Sequence, residues 1–176
     1  MRRYHRAYVA GACYFFTLAL AQRRGNRLLI EHIDALRAAH RLVRARHPFR
    51  IDAMVVLPDH LHAVWTLPDD SADFSLRWSL IKAGFSRQIA RSEAVSQSRR
   101  QKGERGLWQR RFWEHLIRDP DDYARHVDYI HYNPVKHGLV AQAVDWPHSS
   151  IHRFVRDGIL PADWASSPET ARLDFE

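Results

Sequence analysis

Cysteine is almost missing from this chain. Cys13 is the single one in 176 residues, which excludes an intrachain disulfide and any multi-cysteine zinc or iron-sulfur centre. That usage suits a reducing compartment, and a cytoplasmic location is expected. Acidic residues are outnumbered, 20 against 27 Lys and Arg, giving a formal charge of +7 and a pI near 10.1. A chain so basic is built for a polyanion, with nucleic acid the usual one and an anionic membrane surface the alternative. Long apolar runs are lacking as well. The stretch 9–21, behind Arg2 and Arg3, imitates a signal peptide, but it contains Tyr14 and Thr17, and its centre is rich in strand formers. It reads better as a strand of the folded domain than as a cleaved leader. No segment is long or apolar enough to span a bilayer, and of the two polyanions nucleic acid is the expected partner, with no membrane. No internal repeat is visible.

What is present is enough for one domain with a real core: 45% of the residues are hydrophobic, which excludes wholesale disorder. In chain order, a strand is expected over 12–20, then a turn at Gly25 and Asn26. A helix over 33–47 follows, with Ile33, Leu36, Ala39, Leu42 and Val43 at helical spacing. Pro48 closes it. Strands over 49–57 and 61–67 flank a Pro58-Asp59 turn signal, and a helix over 73–91 carries Phe74, Trp78, Ile81, Phe85 and Ile89. Residues 92–106 offer little to bury and read as a mobile loop. A fourth strand within 107–118 leads to a third helix that starts at Asp119-Pro120 and ends near Asn133-Pro134. This order predicts an α+β fold: a ferredoxin-like antiparallel sheet (βαββαβα) with its helices on one face and an irregular C-terminal tail. The expected organisation is a domain over 1–140 with a tail, 141–176, packed on it.

The chemistry centres on residues 55–68, where His60-Leu61-His62 sits among β-branched and aromatic residues. Side chains alternate along a strand, so His60 and His62 face one side while Leu61 and Ala63 enter a core on the other. Two imidazoles on one face can hold a metal ion or a phosphate, or can be merely a solvated polar pair. On the third helix, Tyr129 and Asn133 are four residues apart and share a face. A phenol with a pKa of ~10 is a poor nucleophile until its target is activated. A divalent metal on His60, His62 and the Asn133 amide oxygen would activate a phosphodiester. With mixed nitrogen and oxygen donors and no thiolate, Mg2+ or Mn2+ is the expected ion. Tyrosine attack conserves the bond energy as phosphotyrosine and permits strand transfer. Attack by water would be hydrolysis, and spacing alone does not choose between them. Equally, Tyr129 and Asn133 could be a packed aromatic and a helix-terminal residue.

Four separated segments, 55–68, Leu107 to His115, Val127 to Val140, and Trp146-Pro147-His148-Ser149-Ser150, together resemble the REP-associated tyrosine transposases. These are relatives of the single-tyrosine transposases whose signature is His-apolar-His, and the likeness runs over residues 4–165. It implies a ferredoxin-like nuclease acting on single-stranded DNA with hairpins formed by repetitive extragenic palindromes. By that resemblance His60 and His62 bind the metal and Tyr129 forms a covalent 5′-phosphotyrosine. Asn133 falls where related transposases place a glutamine, and its shorter side chain puts the third ligand in doubt. Tyr132 is the rival nucleophile, turned about 60° from the Tyr129–Asn133 line. The basic, aromatic start (Arg2, Arg3, Tyr4, Arg6) is expected to read the unpaired bases beside the hairpin. Lys82, Arg87, Arg110 and Arg111 are expected at the DNA backbone, and Lys136 and His131 at the phosphate. Each of these is also an ordinary surface charge by composition. The implied setting is the nucleoid, with the protein a monomer or homodimer. The competing readings are a non-catalytic hairpin-binding protein and a metal-dependent hydrolase that does without Tyr129.

Overall fold

The structure, a computed structural model, describes residues 7–93 and 95–164. The elements are β1 (Cys13–Ala19), α1 (Leu28–Glu31), α2 (Ile33–Arg46), β2 (Arg50–Val56), β3 (His60–Thr66), α3 (Phe74–Arg87), α4 (Gln97–Gln101), β4 (Trp113–Leu116), α5 (Pro120–Lys136), a 3-10 turn (Ala143–Asp145) and α6 (Ile151–Arg156). The strands form one antiparallel sheet in the order β2-β3-β1-β4. This is the ferredoxin-like, split βαβ arrangement expected from the element order.

Alternation along the strands builds a separate core on each face. Tyr14, Phe16 and Leu18 of β1, with Leu61, Ala63 and Trp65 of β3, pack against Leu36, Ala39 and Val43 of α2 and Phe74, Trp78, Ile81 and Phe85 of α3. Trp65 and Trp78 stack with centroids 3.8 Å apart. The two helices approach closely at Gly84, where an added Cβ would lie 3.2 Å from that of Ala39.

The opposite face carries Phe15, Ala53, Val55 and Val64, covered by Val127, Tyr129 and Ile130 of α5 and by Trp146. Helices on one face therefore describes α2 and α3 only. With apolar side chains on both faces of β1, β2 and β3, the sheet needs cover on both sides, and α5 supplies the second layer.

The tail also differs from the irregular segment expected. Edge strand β2 would present unpaired main-chain groups, and residues 146–150 occupy them. Val56 N–H donates to His148 O at 2.9 Å, Ser150 N–H to Met54 O at 2.8 Å, and Trp146 Nε1–H to Val56 O at 2.9 Å. Helix α6 follows directly. Within 92–106, α4 interrupts the expected loop, and Arg105 pairs with Glu93 at 2.6 Å. Among the described residues, no helix is long and apolar enough to cross a membrane.

Candidate active site and nucleic-acid surface

Helix α5 is delimited by its own sequence. Asp119 caps it by accepting from Asp122 N–H at 2.8 Å, Pro120 occupies the first turn, and Gly138 (φ 65°) turns the chain away at its end. The helix runs through Pro134 to Lys136 instead of ending at Asn133-Pro134. Proline there removes one main-chain donor, but Ile130, Asn133 and Pro134 are all buried, and their packing offsets the lost bond. His126, Tyr129, Ile130 and Asn133 share the buried face.

That face lies over the histidines of β3. The rings of His60 and His62 are 5.1 Å apart, and the Tyr129 ring is 5.2 Å from His62. Phe15 separates this group from His126, touching His62 at 5.6 Å, Tyr129 at 5.9 Å and His126 at 4.7 Å. Both histidines are held from behind. His60 Nδ1 is 2.6 Å from Asp59 Oδ1, and a carboxylate only accepts, so Nδ1 carries the proton and Nε2 the lone pair. Arg23 Nε donates to the other Asp59 oxygen at 2.7 Å. His62 Nδ1 is 2.8 Å from Thr17 Oγ1.

His60 Nε2, His62 Nε2 and both amide atoms of Asn133 are buried with no hydrogen-bond partner. Unpartnered buried polar atoms are costly, so four of them, on three residues of adjoining elements, mark a place built for something else. Burial lowers the pKa of His60, against the pull of Asp59, and drives that of His62 well below 6.5, with His60, His137 and Lys136 adding to the effect. Both imidazoles are neutral at neutral pH and have lone pairs to give. The donor set of two imidazole nitrogens and one amide oxygen fits a divalent cation. Tyr129 is only 1% exposed, so a phosphate reaches its hydroxyl only after local rearrangement.

Four residues here have no role in the sequence reading. Thr17, Arg23 and Asp59 orient the imidazoles, and the His137 ring lies 5.0 Å from that of His60. Asp59 was legible only as part of a turn. Thr17 is brought in by strand pairing, which no local pattern encodes.

Of the other expected residues, Lys136 Nζ lies over the Tyr129 ring, 5.0 Å from its centroid. His131 does not join the site. It is buried against the tail, with Nε2 2.8 Å from Ser150 Oγ and its ring edge-on to Phe154, because two residue steps, about 200° on a helix, turn it away from Tyr129 and Asn133. Tyr132 is half-buried. Lys82, Arg87 and Arg110 line one groove of about 560 Å3 with Arg91 and Arg99, on the α3 side of the sheet. Arg111 is exposed just before β4. Arg2, Arg3, Tyr4 and Arg6 lie outside the described residues.

A second cluster was not anticipated: His115, Asp122 and His126 place one ligand atom each within 4.8 Å of one another, the only such group of His, Cys, Asp or Glu among the described residues. Its atoms are largely engaged. His115 Nε2 pairs with Asp122 at 2.8 Å, His126 Nδ1 with Asp122 O at 2.8 Å, and Arg118 and Arg125 approach the same carboxylate at 3.5 and 3.8 Å. Two guanidiniums beside the carboxylate oppose a further cation, so the cluster serves to fasten α5 to β4.

No protein-family model matches the chain. A REP-associated tyrosine transposase of Escherichia coli K12 is 46% identical over 165 residues, covering 94% of this chain and 92% of the relative. A Haemophilus influenzae protein carrying the same family name is 44% identical over 170 residues, 96% of each chain. The solved structure of a REP-associated tyrosine transposase bound to a REP hairpin superposes with a TM-score of 0.83 at 44% identity, covering all of this chain and 96% of that one.

Proposed function

Because this chain belongs to the REP-associated tyrosine transposases, we propose that it is a metal-dependent, site-specific single-stranded DNA endonuclease and strand transferase that acts beside REP hairpins through Tyr129. One observation carries the reading: two buried, neutral imidazoles with unpartnered Nε2 atoms stand beside Tyr129 of the facing helix, whose buried face also carries the unpartnered Asn133 amide. His60, His62 and Asn133 would hold the cation, Mg2+ or Mn2+, which when bound would withdraw charge from a phosphate oxygen.

Tyr129 Oη attacks phosphorus in line. The new bond is a 5′-phosphotyrosine, the bond to the 3′-oxygen breaks, and that oxygen leaves as a hydroxyl. The phenol proton passes to solvent, and the departing 3′-oxygen takes its proton from solvent. Lys136, over the Tyr129 ring, favours the phenolate that forms and the phosphate that approaches. Asp59 and Thr17 keep both imidazoles aimed. Energy retained in the phosphotyrosine allows the strand to be joined to another 3′-hydroxyl. Lys82, Arg87 and Arg110 in the groove, with Arg111 nearby, bind backbone phosphates. Arg2, Arg3, Tyr4 and Arg6 read unpaired bases. Such a protein works at the nucleoid.

The test is incubation with single-stranded oligonucleotides bearing a REP hairpin in Mn2+. A denaturant-resistant protein–DNA adduct, formed by the wild type and absent in Tyr129→Phe, is expected. Cleavage by the variant would indicate a hydrolase or Tyr132, and tight binding with no cleavage in any metal would leave a recognition protein.

A further inference from the structure

The basic groove and the catalytic cleft lie on opposite faces of the sheet, the groove along α3 and the cleft beneath α5. A strand serving both has to pass an edge. On one side, β2 is occupied by residues 146–150, whereas β4 closes the sheet on the other side and is entered directly from Arg110 and Arg111.

Trp113, the first residue of β4, sits at that crossing. It is 44% exposed, unusual for so large an apolar side chain on an edge strand. Its position is fixed by pairing: Thr17 is opposite His62 on one side and opposite Trp113 on the other. Directly paired residues point to the same face, so Trp113 stands in one row with His62, two strand spacings or about 10 Å away.

Its ring is braced as well as exposed. It lies parallel to His115 (centroids 5.8 Å, 9°), which lies parallel to His126 (4.7 Å, 17°), and Phe15 meets it edge-on at 5.6 Å. Exposed Arg118 and Arg125 flank the His115–Asp122 pair behind it. A braced, exposed indole offers an unpaired base a flat π surface, and exposed Arg111 two residues before it is a cation for the adjoining phosphate.

We infer that Trp113 is a stacking subsite for an unpaired nucleobase of the single strand next to the scissile phosphate. This rests on the proposed single-stranded DNA substrate. The subsite is sequence-tolerant, since every base has a π face, and it positions the strand between groove and cleft.

The experiment measures binding of fluorescent hairpin oligonucleotides with an unpaired flank, all in a Tyr129→Phe background so that cleavage plays no part. Trp113→Phe should keep most of the affinity and Trp113→Leu should lose about 5- to 150-fold, the range for removing one base–aromatic stack. Equal affinity of the Leu variant and its parent would overturn the subsite. A second readout needs no substitution: 5-iodouracil placed along the flank should photo-crosslink to the tryptic peptide Phe112–Arg118, with Trp113 the modified residue. A set of flank positions that all crosslink elsewhere would equally overturn it. The adduct assay on Tyr129 is separate. Adduct formation with no effect at Trp113 rejects the subsite alone, and stacking without any adduct rejects the transferase reading alone.

Discussion

Thr17 Oγ1 and His62 Nδ1 are 2.8 Å apart, joined across the central β1–β3 pair. A threonine on one strand thus sets the ring orientation of a histidine on the next, leaving His62 Nε2 directed at the cleft. Groups behind a metal ligand typically govern affinity 10- to 100-fold. Thr17→Val and Asp59→Asn should each weaken Mn2+ binding by roughly that factor in titration calorimetry. Wild-type affinity in both would mean that the histidines are not held for a metal.

Replacing Tyr129 with Phe should abolish the covalent adduct and lower strand cleavage by roughly 10³-fold or more, as expected when a nucleophile is removed. Hairpin binding by this variant should stay close to wild type, since the groove of Lys82, Arg87 and Arg110 is on the other side of the sheet. Gel analysis of the adduct and anisotropy of the uncleaved complex separate the two effects.

The groove itself should act without regard to sequence. Lys82→Ala and Arg87→Ala should weaken hairpins of different sequence about equally, and each should reduce the slope of log K against log salt by about 1. A loss confined to one sequence would instead place these side chains at base edges.

Ser150 ties the tail to both β2 and α5. Its Oγ accepts from Met54 N–H at 2.9 Å and hydrogen-bonds His131 Nε2 at 2.8 Å. Ser150→Ala strands two buried polar groups and should cost about 1–3 kcal/mol in denaturant unfolding. A change of less than a few tenths would show that the tail is not anchored there.

Stability should fall on mild acidification. Burial lowers the pKa of His40 to about 4 and of His131 to about 3. The unfolded chain takes up these protons below about 6.5 while the folded one does not. The contribution is therefore complete above pH 6.5 and is lost as pH drops toward the folded values. By pH 5 each histidine should cost on the order of 2 kcal/mol. Denaturant melts at pH 7 and pH 5 should show this, and His40→Gln should flatten the difference. A midpoint that does not move between the two would refute it.

Much of this protein was written in local pattern. Helical spacing placed α2 and α3 and their buried residues, period-two alternation put His60 and His62 on one face, and the Asp119-Pro120 start marked α5. The four-residue interval joined Tyr129 to Asn133. These depend on bonds and sterics within a few residues, which the sequence by itself determines. Tertiary structure alone decided the rest. Strand pairing brought Thr17 to His62 and Trp113 into the same row, although the residues are distant in sequence. The apolar second face of the sheet drew α5 across to the side opposite α2 and α3. The open edge of β2 bound residues 146–150 of a tail that the sequence placed on the domain without saying where. In each case the deciding force is burial or hydrogen bonding between segments that meet only when the chain is folded, and no window along the sequence contains both partners.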